Sequence, residues 1–148
     1  MKLKRAALLC LFGASFLYAD NPDYAAWIGM DPAGSHAVFG PPSHIYVHRG
    51  ESAEEDNVVF YRDGIYLFWF ENRIWQIRAD RNSGAALAGI GIGDTRDRVI
   101  AMLGEALYTE ADGSLYFEIS RRSYPLRLRV VLDSGDTVED LYLYRGDY

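Results

Sequence analysis

Hydrophobic residues along this chain fall into short runs separated by polar turns. Six of these runs predict β-strands, because each is rich in aromatic or branched aliphatic residues and is bounded by Gly, Asp or Asn. They span residues 58–61, 65–70, 74–78, 115–119, 126–132 and 138–144. Residues 126–130 alternate strictly between an aliphatic residue and Arg, which predicts a strand with one buried and one polar face.

Two short helices are predicted in front of these strands. Asp31 precedes Pro32, a pair that suits an N-cap and a first helical turn, and Asp94 or Thr95 suits the N-cap of the second helix. Gly40 and Gly104 lie where a residue with positive φ ends a helix. Each helix is too short to be stable alone, so both are expected to pack on the sheet.

The elements occur in the same order twice, with Ile28-Gly29 matching Ile92-Gly93 at a shift of 64 residues. This order predicts an α+β fold formed by tandem duplication, αβββ–αβββ, in which a short helix precedes a three-stranded antiparallel sheet. The first repeat is assigned to residues 20–82 and the second to residues 83–148. The sequence leaves open whether the six strands form one sheet.

Strand pleating assigns side chains to two faces of the sheet. If Leu132 corresponds to Phe70, the face away from the helices carries aromatic, aliphatic and Arg side chains together. Trp, Tyr and Arg dominate the binding energy of protein interfaces, so this face is predicted to bind protein. Its predicted members are Ile65, Leu67, Trp69, Arg78, Arg127, Arg129, Tyr142 and Tyr144. The alternative is that the apolar members are covered inside the molecule, by the other sheet or by residues 24–27.

The first nineteen residues have the order of a secretory signal peptide. Lys2, Lys4 and Arg5 precede an apolar run over residues 6–18, and Ala19 is a small residue before Asp20. The run of 13 residues is shorter than the ~20 needed to cross a bilayer, so no stable transmembrane span is expected. The chain is therefore predicted to be periplasmic or extracellular after cleavage near Ala19.

Composition excludes several functions. From residue 20 onward, 12 Arg and 21 acidic residues give a net charge of −9, which argues against nucleic acid as a partner. No lysine follows Lys4, so Schiff-base chemistry and a phosphate-binding P-loop are not expected. Cys10 is the only cysteine and lies within the leader, so neither thiol chemistry nor a cysteine-ligated zinc is expected.

Candidate catalytic and metal sites are weak. His36, His44 and His48 lie close in sequence, but an extended segment would separate the last two by about 13 Å, too far for one metal ion. The acidic residues of 51–56 lie in a polar loop with no apolar wall to raise a carboxyl pKa. Residues 89–94 lack the spacing of a nucleotide-binding loop. No catalytic residue, metal or cofactor is therefore predicted.

The segment Ile92-Gly93-Asp94-Thr95 and the later Leu103-Gly104-Glu105 resemble the helix entry and exit of two groups of small envelope proteins. These are the SmpA/OmlA (BamE-like) lipoproteins and the β-lactamase-inhibitor-protein superfamily. The second group is similar in a further respect, since its tandem helix-and-sheet units grip a partner protein with the sheet. The motif is short and mostly structural, so the resemblance implies a similar fold more than it implies a function.

The sequence is compatible with two functions. The first is a non-enzymatic envelope module that binds protein through the aromatic and Arg-rich sheet face, its partner being another envelope protein or a second copy of itself. The alternative is a small-ligand carrier with a pocket between the helices and the sheet, lined by Tyr66, Phe68 and Trp75. No enzymatic activity is predicted.

Overall fold

In the computed structural model, described for residues 21–51, 56–121 and 123–147, one large antiparallel sheet carries helices on one of its faces. The predicted leader, residues 1–19, lies outside the described residues. In chain order the elements are α1 (Tyr24–Trp27), α2 (Pro32–Phe39), β1 (His44–His48), β2 (Asn57–Arg62), β3 (Ile65–Phe70), β4 (Arg73–Ala79), β5 (Ala86–Leu87), β6 (Ile90–Gly91), α3 (Arg96–Leu103), β7 (Tyr108–Thr109), β8 (Leu115–Arg121), β9 (Pro125–Leu132) and β10 (Val138–Arg145).

The predicted αβββ–αβββ arrangement is wrong. Eight strands form one sheet in the order β1-β2-β3-β4-β10-β9-β8-β7, and β5 and β6 form a separate two-stranded hairpin. Strands make up 45 % of the described residues and helices 16 %, so the fold is dominated by the sheet and is not a repeated α+β unit. Pairing between β4 and β10 joins the two halves, because Ile77 lies opposite Leu143 and Ala79 opposite Leu141.

The sequence pattern placed the two longer helices correctly. Asp31 caps α2 by accepting a 2.8 Å hydrogen bond from the Gly34 amide, and Thr95 caps α3 by accepting one of 3.3 Å from Arg98. Both helices end at a glycine with positive φ, which is 76° at Gly40 and 82° at Gly104. These local signals need no tertiary context, because capping and termination involve neighbouring backbone groups only.

The core lies between the sheet and the helices. Tyr24 and Trp27 of α1 and Val99 of α3 pack in the same buried cluster as the inward-facing residues of the central strands. Those residues are Ile65, Leu67, Trp69, Ile77, Leu115, Phe117, Leu128, Val130, Leu141 and Leu143, each at most 5 % exposed. The helices therefore lie on one face of the sheet. We call the other face, which carries none of the described helices, the open face.

Candidate functional site

The first half of the predicted binding face lies in the core. Ile65, Leu67 and Trp69 are 4 %, 0 % and 5 % exposed, and they pack in one cluster with Tyr24 and Trp27. The alternative recognised from the sequence, that residues 24–27 cover this patch, is therefore the correct one. The prediction failed because β3 is apolar on both faces, so that alternation of residue type does not identify its buried side.

The other predicted members of the face lie together on one side of the sheet. Arg78, Arg127, Arg129, Tyr142 and Tyr144 project from β4, β9 and β10 on the open face, because their strand neighbours Ile77, Leu128, Leu141 and Leu143 are buried in the core. In register, Arg78 lies opposite Tyr142, and Tyr142 opposite Arg129. Arg127 lies opposite Tyr144 on the same pair of strands.

A single row of directly paired residues crosses the whole open face. We call it the Tyr–Arg row; it runs, in strand order, through His44, Tyr61, Tyr66, Arg78, Tyr142, Arg129, Tyr116 and Tyr108. Tyr61, Tyr66, Tyr108 and Tyr116 were not among the residues predicted for the binding face. Each strand of the large sheet contributes one member, so the row is a property of the sheet's register.

Ring and guanidinium contacts connect the row. The Arg78 guanidinium carbon lies 4.9 Å from the ring centre of Tyr66 and 5.4 Å from that of Tyr142, and Arg129 contacts Tyr142 and Tyr116 at 5.5 and 5.7 Å. Distances of this size are those of cation–π contacts. At one end the rings of Tyr108 and Tyr116 stack with centres 4.3 Å apart.

Carboxylates hold the two arginines in place. Arg78 donates two hydrogen bonds to Asp140, from Nε to Oδ1 at 2.8 Å and from Nη2 to Oδ2 at 2.5 Å. Arg129 donates from Nη2 to Asp112 Oδ2 at 2.9 Å and to Ser114 Oγ at 3.2 Å. A bidentate pair fixes the plane of the guanidinium group, so the flat faces of Arg78 are oriented before any partner arrives.

Burial raises the pKa values of three tyrosines of the row, Tyr66, Tyr116 and Tyr142. Burial, together with the 2.8 Å hydrogen bond that its hydroxyl donates to Asp80, raises the pKa of Tyr66 to about 12. Burial also raises the pKa values of Tyr116 and Tyr142, and in Tyr142 the Arg78 charge opposes that rise. These three tyrosines therefore keep neutral hydroxyl groups at neutral pH, beside the cationic guanidinium group of Arg78.

These pKa values predict a loss of stability in alkali. A tyrosine whose pKa is higher in the folded state holds its proton longer there, so its contribution to the free energy of unfolding is constant below pH 10 and is lost as pH rises from 10 to about 12. Urea unfolding across that interval should show the fall, and Tyr66→Phe should make it smaller. A free energy of unfolding that stays constant over this range in the wild-type protein would contradict the assignment.

The pocket predicted between helices and sheet does not have the predicted lining. Tyr66 and Phe68 project on the open face, and Trp75 lies beside Phe68 there and donates a hydrogen bond to Asn57 Oδ1. Trp75 leaves the core side because the register shifts between Phe68 and Trp69, and Ile74 takes the place opposite Trp69. On the helix side there is instead a groove of about 590 Å³, lined by α2 residue Pro32 and by Val58, Phe60 and Trp69 of the sheet.

The fold is similar to parts of solved structures. An extracellular protein containing a SCP domain from Bacillus anthracis str. Ames gives a TM-score of 0.57 at 13 % identity, covering 99 % of this chain and 50 % of that one. A cysteine-rich secretory protein from Staphylococcus aureus subsp. aureus Mu50 gives 0.52 at 17 % identity, covering 87 % and 48 %. A DUF4309 family protein from Bacillus subtilis subsp. subtilis str. 168 gives 0.50 at 16 % identity, covering 78 % of each chain.

These comparisons establish a likeness of fold alone, and the chain spans about half the length of the first two proteins. No protein-family model and no curated protein matches the sequence. The predicted resemblance to the SmpA/OmlA and β-lactamase-inhibitor groups is therefore wrong. The motif behind it consists of a cap at Thr95 and a terminating glycine at Gly104, features that α-helices use in many folds.

Proposed function

We propose that this chain is a secreted, non-enzymatic module that binds another protein through the open face of its sheet. The observation that carries the proposal is the Tyr–Arg row, which crosses all eight strands on the face that the helices leave free. Tyr and Arg are among the residue types most enriched at the energetic centres of protein interfaces.

The geometry of the row favours binding because its side chains are already ordered. Arg78 is held by Asp140 and lies between two tyrosine rings, and Arg129 is held by Asp112. Immobilising a long side chain at an interface costs about 0.5–1.5 kcal/mol, a cost that these arginines meet on folding and not on binding. The side chains of Arg78 and Arg129 are still 30 % exposed, so a partner can reach them.

Arg127 supplies a different kind of contact. Unlike Arg78 and Arg129, it forms no ion pair with any residue in the described part of the chain, and the facing Glu118 is bound instead by Arg121. A guanidinium group that forms no ion pair within residues 21–51, 56–121 and 123–147, and acts on Glu118 only through its charge, favours an acidic group on the protein that binds. We therefore expect the partner to place an Asp or Glu side chain near Arg127 and Tyr144.

Secretion is supported by the leader-like segment at residues 1–19, which lies outside the described residues. Two of the structurally similar proteins are described as secretory or extracellular. Within residues 21–51, 56–121 and 123–147, no helix has the length and apolar character to cross a bilayer. We propose that the module acts in the periplasm or outside the cell, after cleavage near Ala19.

A second candidate function, transport of a small ligand, is supported by the groove of about 590 Å³ on the helix side. Trp69 lines this groove, and its buried indole N–H has no hydrogen-bond partner among the described residues. A ligand bound in the groove would pack against the Trp69 ring, while the N–H itself lies below the surface. Such a ligand would contact Trp69 and leave the Tyr–Arg row free, so the two functions use opposite faces of the sheet.

Photo-crosslinking in the producing cells tests the proposed function. We expect benzoylphenylalanine at Tyr142 or Tyr61 on the open face to capture one partner protein, and Arg127→Ala to reduce that adduct several-fold. The same probe at Met102, 47 % exposed on the helix side, is the matched control and should capture no such partner. Equal capture from Met102, capture of a second copy of the chain alone, or no adduct from either tyrosine would contradict binding of another protein by the open face.

A further inference from the structure

Strand β1 is an edge of the large sheet that no other described strand covers. Among the described elements it pairs with β2 only, and all five of its residues are exposed, Ile45 by 61 %, Tyr46 by 42 % and Val47 by 46 %. Its five pairs with β2 run without a register shift, and it contains no Pro, Lys or other charged side chain. Soluble proteins usually protect an edge with such residues or with a bulge, because a free edge invites another strand.

The sequence of β1 reads almost the same in both directions. It is His-Ile-Tyr-Val-His, so an antiparallel copy centred on Tyr46 places His44 opposite His48 and Ile45 opposite Val47, with Tyr46 opposite its own copy. Each position thus meets a residue of the same chemical class. This self-complementarity is the requirement of an isologous, two-fold symmetric interface.

The charge of the edge permits a second copy to approach. The full chain has a net charge of −6, which opposes the approach of two copies in general. Strand β1 carries no formal charge at pH 7 with neutral histidines, and Arg49, directly after it, is already paired with Asp56. The edge is therefore a place where two copies can meet without opposing like charges.

We propose that two copies of this chain pair through β1 in antiparallel register centred on Tyr46, joining their eight-stranded sheets edge to edge. The two-fold axis then runs perpendicular to the sheet, so both open faces lie on the same side of the dimer. This inference does not depend on the proposed function, since the pairing uses the backbone edge of β1 and the open face remains available.

Cysteine crosslinking tests the register. In a full chain carrying Cys10→Ser, so that no other thiol is present, Tyr46→Cys places two thiols on residues that lie directly opposite, with Cα atoms about 4.5–5.5 Å apart. Disulfides need a Cα separation below about 7 Å. Ile45→Cys and Val47→Cys are the matched controls, because each is offset from its own copy by two residues, about 7–8 Å.

We expect Tyr46→Cys to form a disulfide-linked dimer under mild oxidation. Each control should crosslink at least about tenfold more slowly, because its two Cα atoms lie too far apart for a disulfide to form without backbone movement. The double variant Ile45→Cys/Val47→Cys should again crosslink, because residue 45 then faces residue 47 of the other copy. Equal rates for the three single variants would indicate random collision and overturn the register. Absence of crosslinking in a folded Tyr46→Cys protein would overturn the pairing.

Light scattering after size-exclusion chromatography tests the interface without thiols. The wild-type protein should be a dimer, and Ile45→Lys should weaken association at least about tenfold, because it places two ammonium groups in one small interface. Leu107→Lys, 57 % exposed beside the opposite edge strand β7, is the matched control and should remain dimeric. A monomeric wild type, or a folded Ile45→Lys protein that remains a dimer, would contradict the proposal. Crosslinking from Tyr142 reports separately on the open face.

Discussion

Leu67→Ala is expected to lower the free energy of unfolding by about 4 kcal/mol, within the range of buried Leu-to-Ala substitutions. Leu67 has no exposed surface, and it lies between Phe60 on β2 and Ile77 on β4 in the centre of the core cluster. Removing its side chain takes away buried apolar contacts and leaves a cavity in the core. Chemical denaturation followed by circular dichroism measures the change.

The matched control is the adjacent residue on the other face. Tyr66→Phe removes only the hydroxyl that donates to Asp80, so a loss of about 1 kcal/mol is expected. If Leu67→Ala costs no more than Tyr66→Phe, then Leu67 is not in the core, and the assignment of β3 residues to the two faces is wrong. The comparison thus decides directly between the predicted binding face and the face found in the structure.

Gly64→Ala is expected to cost about 3 kcal/mol, the second large effect. Gly64 has φ of +78°, and a Cβ atom there would lie 2.6 Å from the Ser83 amide nitrogen and 2.8 Å from the Asn82 carbonyl carbon. Left-handed backbone costs a residue with a Cβ about 1–2 kcal/mol, and displacing neighbouring backbone adds about 1–3 kcal/mol. Thermal or urea unfolding of the variant measures the sum.

Gly113→Ala separates the two contributions. Gly113 also has positive φ, +85°, but a Cβ atom there would meet nothing within 4 Å. It should therefore cost only the conformational part, about 1 kcal/mol. Equal losses for the two variants would mean that the contact between the β2–β3 turn and residues 82–83 contributes little to stability.

The β2–β3 turn also explains what sequence analysis missed at the site. Asp63 and Gly64 both have positive φ, the geometry of a two-residue hairpin turn that an Asp-Gly pair favours. Such a turn sets Arg62 opposite Ile65, Tyr61 opposite Tyr66 and Phe60 opposite Leu67. Reading the register from that turn would have placed both tyrosines on one face and Phe60 with Leu67 on the other. The faces were assigned from the sequence by matching Phe70 with Leu132, and that match does not fix the register between β2 and β3.

The second half of the site was predictable because its strands carry their own polarity. Residues 126–130 alternate between aliphatic and Arg side chains, so only one orientation buries Leu126, Leu128 and Val130. In β3, residues 65–70 are all hydrophobic or aromatic, and either orientation buries apolar surface. The orientation of β3 is set by its neighbours. Leu67 pairs with Ile77, and the face that carries both residues is the one that the helices cover.

Local chemistry along the sequence determined the two capped helices, their glycine ends and the strand character of the hydrophobic runs, since each depends on residues within a few positions. The tertiary structure decided that the two halves join through β4 and β10 into one sheet and that β1 is an exposed edge. It also decided which side of β3 is buried. These features depend on hydrogen bonds and packing between residues far apart in the chain, such as the 62 positions that separate Arg78 from Asp140. No local pattern encodes such pairings, because many registers satisfy the same alternation of apolar and polar residues.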